Sequence, residues 1–491
     1  ADGVRVNVSF ANGDLMGAKA YPNGVVEILK NGQVVGTANI ASWPFNEQGG
    51  SVGIYVWNGA GAILDDFNGG GASGTPTLPT PTNPPVTVVP NITPTPTFPT
   101  PTPTPSGTGR TFYVSLKGSD ANNGLTIDKA FATFARSWSV MQPGDTLLID
   151  DGYYYEPIHP TVEGTPGKYI TIKALNDGKV TIDGRGVVSP VKLGDVWPGP
   201  KNEWYILEGV VLRNGTDATL NIWGNNIIVR RVSAYEASPR LNSSVVVVKW
   251  SENVLLEDIV AGGQGRKSVL VFTSKNVTVR RAFTQWVNWN NGDANACGNG
   301  WPAGNGINPY NSQNVIVENS IVTGPLADAG IRITINDISV YSPGMKILGS
   351  IAVGAGVNPD GTQHEYIFNP NNEPYNCPLP SDSPPYYASP WGFGVYGQGD
   401  APGPVFADIV SDGNAGWGFA SIKPFGVGVT NGILDHATLI NNNKFPGQPS
   451  EKNVQGTYSG FTVTNSYIPG FQNGEGARLR NRYVDGVLTN E

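Results

Sequence analysis

Short runs of β-branched residues recur along the last three quarters of the chain, and they limit the fold more than any other feature. They begin at Tyr169 (YITIKA), Trp204 (WYILEGV), Asn226 (NIIVRRV), Asn253 (NVLLEDI), Asn276 (NVTVRRA), Asn314 (NVIVENS), Met345 (MKILGSI), Val405 (VFADIV), Val427 (VGVTNGI) and Phe461 (FTVTNS). Starts are 22–38 residues apart except for one gap of 60, between Met345 and Val405. Repeats of this length denote a solenoid, in which each unit buries its apolar face only against its neighbours. The runs are strand-length, are bounded by Gly and Asn, and carry no 3.6-residue periodicity. An all-β parallel β-helix of about ten coils is therefore expected over 110–491. Asn225, Asn253, Asn276 and Asn314 recur at the strand starts, where stacked amides would bond to one another along the solenoid. The gap holds a long Pro-, Asn- and Tyr-rich excursion from about 351 to 404, a length usually functional or interfacial.

Two other segments precede the repeat. Residues 75–105 hold 12 Pro and 11 Thr and no charged residue. Alternating Pro removes donors and fixes φ, so a polyproline II spacer spanning on the order of 90 Å is expected over 73–109. Residues 1–72 alternate like strands, and Asn31-Gly32 marks a two-residue hairpin turn. The start ADGVRV, without Met, is read as a processed end.

Charged residues make up only 14% of the chain, against about 25% usually. Net charge is −8, which excludes the basic stripe that nucleic acid requires. No apolar run is long enough to span a membrane. His159, His364 and His436 are scattered and no CxxC occurs, so no metal site is expected. Cys297 and Cys377 lie in loop-like stretches and could form one disulfide or remain two thiols. Sequons stand at Asn7, Asn91, Asn214, Asn242 and Asn276.

The stretch RTFYVSLKGSDANNGLTIDKAFATFARSWSVMQPGDTLLIDDGYYYEPI resembles the entry motif of secreted right-handed β-helix proteins of the pectate-lyase-like superfamily. Tyr113, Gly118, Asp120, Gly124, Phe131, Thr133, Pro143, Gly144, Asp145, Thr146, Gly152 and Tyr155 stand at matching positions. The resemblance implies that the parallel β-helix is right-handed, with a capping strand at FYVS and a plugging helix within AFATFARSWSVM, and an extracellular or cell-surface location. It says little of function, because the fold hosts lyases, hydrolases, epimerases and adhesins. Likewise GIYVWNGAGAILDDF resembles the last strands of a concanavalin A-like sandwich, of which 1–72 would be only a part.

Lyases of the superfamily need a Lys or Arg base near carboxylate-bound Ca²⁺. The candidates are Asp293, Asp328, Arg332 and Asp337. Where such lyases carry G-D-G, this chain has Gly292-Asp293-Ala294 and Gly304-Asn305-Gly306, a departure that counts against catalysis. Glu208, Glu257, Asp258 and Glu318 recur beside Arg230, Arg231, Arg280 and Arg281, which reads as a solvated face of cross-strand pairs. Trp250, Trp286, Trp289, Trp301, Tyr310, Tyr386, Tyr387 and Trp391 are candidates for stacking on sugars or for protein contacts. Two readings follow. One is a structural or adhesive surface protein that self-associates head to tail, its incomplete sandwich finished by another copy and no cofactor needed. The other is a polysaccharide lyase, with Ca²⁺, or a carbohydrate-binding protein.

Overall fold

The computed structural model describes residues 16–20, 25–31, 33–39, 109–194, 202–238, 243–288, 304–324, 329–336, 342–357, 391–397, 399–422, 429–442, 461–468, 478–479, 482–484 and 487–489. The chain divides into two compact units, Ala1–Thr104 and Pro105–Glu491. In the first, Met16–Ala20, Val25–Lys30 and Gln33–Asn39 form an antiparallel meander. Lys30 faces Gln33 across the expected turn, and Asn31 takes the left-handed conformation that turn demands (φ 52°). The concanavalin-like LDDF segment and the Pro/Thr spacer lie outside the described residues.

The second unit is a parallel β-helix. One 24-stranded sheet and one eight-stranded sheet account for nearly all of its strands, and pairing between coils is parallel and in register. FYVS does not merely cap the coil. Thr111–Val114 pairs parallel with Thr146–Ile149 and becomes part of the long sheet. The expected helix is short, Phe134–Trp138; Thr133 caps it, and Glu156 accepts from the N–H groups of Phe134 and Ala135. Phe134 and Trp138 plug the first coil from this helix, both buried in the main core.

Two columns of left-handed residues turn each coil. The first is Trp204, Asn226, Asn253, Asn276, Asn314, Gly344, Gly403 and Asn431, where the chain enters the long sheet. The second is Gly209, Arg231, Asp258, Arg281, Asn319, Gly349, Asp408, His436 and Asn465, at the bend within that sheet. Asn tolerates positive φ better than other L-residues, and its amide then bonds locally. The stacked amides form as expected. Asn253 Nδ2 donates to Asn226 Oδ1 (3.2 Å), Asn276 to Asn253 (3.1 Å) and Asn314 to Asn276 (2.7 Å). The first rung is Asn226 rather than Asn225, because Ile227 pairs with Val254 and sets the register. Asn225 instead bonds Glu203 and receives the N–H of Glu252.

Asn276→Ala loses both rungs and places a Cβ-bearing residue without a local bond at φ 54°. The expected cost is about 2 kcal/mol, combining one net hydrogen bond with the left-handed penalty. Asn276→Gly removes the rungs but not the backbone compatibility, so it melts above Asn276→Ala in a thermal scan.

The recurrent charges are not a solvated face. Lys173, Glu208, Arg230, Glu257, Arg280 and Glu318 stand in register on successive coils, alternating in sign. The side chains of Glu257 and Arg280 are each 8% exposed and meet at 2.6 Å. Arg281 bonds Glu257 (2.5 Å) and Asp258 (2.6 Å), and Arg231 bonds Glu208 (2.9 Å) and Asp177 (2.6 Å). Arg230 also bonds Glu208. The hydrogen bond to Asp258, helped by Glu257 and opposed by burial, pushes the Arg281 pKa up. Second-column arginines fold back over the ladder and shield it from water, which strand alternation alone does not disclose.

Candidate functional site on the outer face of the eight-stranded sheet

Val191–Leu193, Ala218–Ile222, Ser244–Lys249, Lys267–Phe272, Asn305–Tyr310, Ala329–Ile335, Trp391–Gly397 and Phe419–Ile422 form this sheet in order. Val269, Ile307, Ile331, Phe393 and Phe419 point inward into the main core. Lys267, Asn305, Asn308, Thr334, Trp391 and Tyr396 lie outside that core yet are themselves buried (0–6% exposed), while Tyr310 and Arg332 are half-buried; parallel register stacks such positions in files about 4.8 Å apart per coil. One file carries Lys267, Asn305, Ala329 and Trp391. Another carries Phe272, Tyr310, Thr334 and Tyr396.

Between these files runs a continuous polar chain. Lys267 Nζ donates to Asn308 Oδ1 (2.7 Å). Asn308 Nδ2 donates to Thr334 Oγ1 (2.9 Å) and to the carbonyl of Arg332 (2.5 Å). Arg332 Nε donates to the same Thr334 hydroxyl (3.1 Å). Aromatic rings flank both cations. Lys267 Nζ lies 4.7 Å from the Tyr310 ring centre, and the Arg332 guanidinium lies 5.1 Å from Tyr396 and 5.9 Å from Trp391. Trp391 stacks on Trp417 at 6.0 Å. Burial leads in raising the Tyr310 pKa, against the Asn336 amide that donates to its hydroxyl (2.6 Å) and the nearby Arg266 and Arg332. Aromatic contacts extend from Tyr310 through Phe272 and Trp250 to Trp223, at 5.2, 5.9 and 5.1 Å.

Polar atoms without partners mark the same face. Asn305 is wholly buried (0% exposed), yet neither amide atom has a hydrogen-bond partner among the described residues; the indole N–H of Trp391 and the hydroxyl of Ser268 are in the same state. Leaving such a group unmet costs about 1–3 kcal/mol, so folded proteins keep few of them.

Of the residues singled out in the sequence, the fold brings Arg332, Tyr310 and Trp391 together here, with Trp250 further along the aromatic file and 44% exposed. Trp286 is a correction. It is 2% exposed in the main core, and its indole N–H donates to the carbonyl of Gly265 (2.7 Å), so it is no surface platform; Trp391, likewise 2% exposed, packs in a buried cluster with Tyr396 and Trp417 and is no open platform either. The Asn276 amide is held in the Asn ladder, and that of Asn214 donates to Asp183 (3.0 Å). Asp293, Asp328, Asp337, Trp289, Trp301, Tyr386, Tyr387, Cys297, Cys377, Asn7, Asn91 and Asn242 lie outside the described residues. Among the described residues no three His, Cys, Asp or Glu side chains gather where they would hold a metal ion. Nor is any described helix long and apolar enough to cross a membrane. Lys267, Asn308, Thr334, Tyr396 and Trp417 went unnoticed in the sequence, and Asn305 was noticed only as a departure from the lyase pattern. Their one available signal was alternation within KSVLVF, NGINPY, AGIRITI and WGFGVYG.

No protein-family model matches the chain. An 83-residue stretch is 37% identical to the uncharacterized protein YwoF of Bacillus subtilis, covering 17% of this chain and 18% of that protein. The matched part is thus under a fifth of that relative's length. Among solved structures, pectate lyase Pel9A is similar with a TM-score of 0.41 and 16% identity, over 77% of this chain and 80% of that one. A rhamnogalacturonan lyase gives 0.39 and 14%, over 76% and 87%. An alginate lyase from Paenibacillus gives 0.39 and 11%, over 75% and 95%. Likenesses this low carry no argument about activity, and the β-helix assignment stands on the strand pairing.

Proposed function

We propose that this protein binds an acidic polysaccharide along the outer face of its eight-stranded sheet. The observation that carries the reading is the Lys267–Asn308–Thr334–Arg332 chain beside Tyr310, in which Arg332 and Tyr310 are the half-buried members that a sugar carboxylate and ring would meet. Aromatic faces suit pyranose rings, and a guanidinium suits a carboxylate, which it engages through two parallel bonds. Such a ligand puts the working location outside the cell or at its surface. Self-association through the N-terminal strands draws no support from the described residues and forms no part of this reading.

Affinity electrophoresis through gels containing polygalacturonate, alginate or neutral dextran tests it. The protein is expected to be retarded by at least one acidic polymer and not by dextran. Arg332→Ala is expected to weaken that retardation about tenfold or more, close to 1.4 kcal/mol. Migration of the intact protein unaltered by either acidic polymer would overturn the proposal.

One observation favours a second reading, cleavage as well as binding. Arg332, one of the lyase candidates, shares this face with a second potential base, Lys267, and Asp328 directly precedes the Ala329–Ile335 strand. Elimination leaves an unsaturated sugar that absorbs in the near ultraviolet. Product that needs Ca²⁺ and vanishes in Lys267→Ala or Arg332→Ala would establish cleavage; binding without product leaves the protein a binder.

A further inference from the structure

A second cluster lies on the outer surface of the long sheet, in the first coils. Tyr153 and Tyr155 are 42% and 52% exposed, with ring centres 5.3 Å apart. The Arg185 guanidinium sits 3.6 Å from the Tyr155 ring centre, and that of Arg213 sits 5.0 Å from Tyr235. Asp183, Arg213 and Tyr235 are aligned on successive coils. With Tyr155, they extend about 15 Å along the solenoid at roughly 4.8 Å per coil.

Most cations on the strands of this sheet are charge-paired, exposed Lys346 being one exception among the described residues. Lys173, Arg230, Arg231, Lys275, Arg280 and Arg281 all have a carboxylate within ion-pair distance. Arg185 and Arg213 are exposed and make no ion pair among the described residues. The one acid among them, Asp183, is already committed. It accepts from the Tyr153 hydroxyl, the Asn214 amide (3.0 Å) and the Arg185 N–H (2.7 Å). Burial alone would raise its pKa, but these bonds hold it below the ordinary carboxylate value, so it stays an acceptor. Arg185 and Arg213 thus lie over the rings of Tyr155 and half-buried Tyr235 without an ion pair among the described residues, although the charge of Arg185 also helps to hold the Asp183 pKa down.

We infer that Tyr153, Tyr155, Arg185, Arg213 and Tyr235 form a second binding site, for a uronate-bearing polysaccharide. The arginines supply carboxylate recognition and the exposed tyrosine faces supply the sugar platform. A simple inorganic anion would use the cations and leave the rings idle. The inference does not rest on the outer face of the eight-stranded sheet, which belongs to a different sheet. Two sites on one rigid body raise the apparent affinity for long chains beyond that for short ones.

The test uses the full chain, polygalacturonate and short oligogalacturonates. Tyr155→Ala with Arg185→Ala and Arg213→Ala alters only exposed side chains, and an unchanged thermal midpoint confirms the fold. This triple variant is expected to lose at least about fivefold in affinity for polygalacturonate, and dextran stays unbound throughout. In the Arg332→Ala background, the same three changes abolish the residual binding. Full retention of polygalacturonate affinity by the folded triple variant would overturn the inference. If Arg332→Ala binds like the parent while the triple variant does not, this site holds and the other reading fails.

Discussion

Replacing Glu257 with Ala is expected to destabilise the β-helix by about 3–5 kcal/mol. Glu257 accepts from Arg280 and Arg281, and the Arg280 side chain is 8% exposed. Removing the carboxylate takes from the buried Arg280 guanidinium an acceptor that water cannot readily replace, which costs more than the pair itself contributes. The loss falls in the middle of the ladder, between Arg230 and Arg280, so it weakens both neighbouring interfaces. Chemical denaturation measures it, and hydrogen exchange should show the coils around 252–282 opening first. The paired change Glu257→Leu with Arg280→Met removes both charges and is expected to restore most of the stability. Recovery by the pair, with a large loss in the single variant, would show that the buried charges must occur together and do not add stability in themselves. A single-variant loss below about 1 kcal/mol would mean the ladder is solvated after all.

Phe419→Ala is expected to cost about 3–5 kcal/mol as well. Phe419 is fully buried, edge-on to Phe406 at 5.0 Å and to Phe461 at 5.3 Å. Truncation leaves a cavity lined by rings that cannot collapse onto one another. The variant also reports on the proposed site. Its strand ends the eight-stranded sheet beside Trp391–Gly397, and Trp417 on its approach stacks on Trp391. Retardation by acidic polysaccharide should therefore weaken more than in a core variant of equal stability loss at the other end of the coil, such as Ile172→Ala. Equal binding in the two would detach Trp391 from recognition.

The long sheet was legible in the sequence and the site was not, for a geometric reason. Strands of the long sheet follow a left-handed residue, so Asn253, Asn276 and Asn314 announce each coil at nearly fixed offsets. Strands of the eight-stranded sheet follow connections of unequal length. Lys267, Asn305, Ala329 and Trp391 share one file, yet their spacings of 38, 24 and 62 residues hide it. Arg332, Tyr310 and Trp391 were noticed one by one, from residue type, and only the register joins them. The charge ladder was seen at its recurring offsets but read as wet. Outward position on a strand usually means water, and nothing local in NIIVRRV or NVTVRRA shows that neighbouring coils close over Arg280.

The column of left-handed residues from Gly209 to Asn465 has a consequence for how such a molecule can change. Between the two halves of the long sheet, every coil passes through one left-handed residue and one inward residue, from Gly209 and Val210 to Asn465 and Ser466. An inserted residue there would throw the second half of its own coil out of register with the coils on either side. The connections into the eight-stranded sheet obey no such rule and run from two residues (265–266) to 37 (354–390). Connections out of that sheet vary less, from two residues (250–251) to 11 (194–204), so length variation is widest on the side that leads into Lys267, Arg332 and Trp391. Exchanging those segments between related chains should alter which polymer is recognised while the coil keeps its pitch, so the architecture separates what must be conserved from what can diversify.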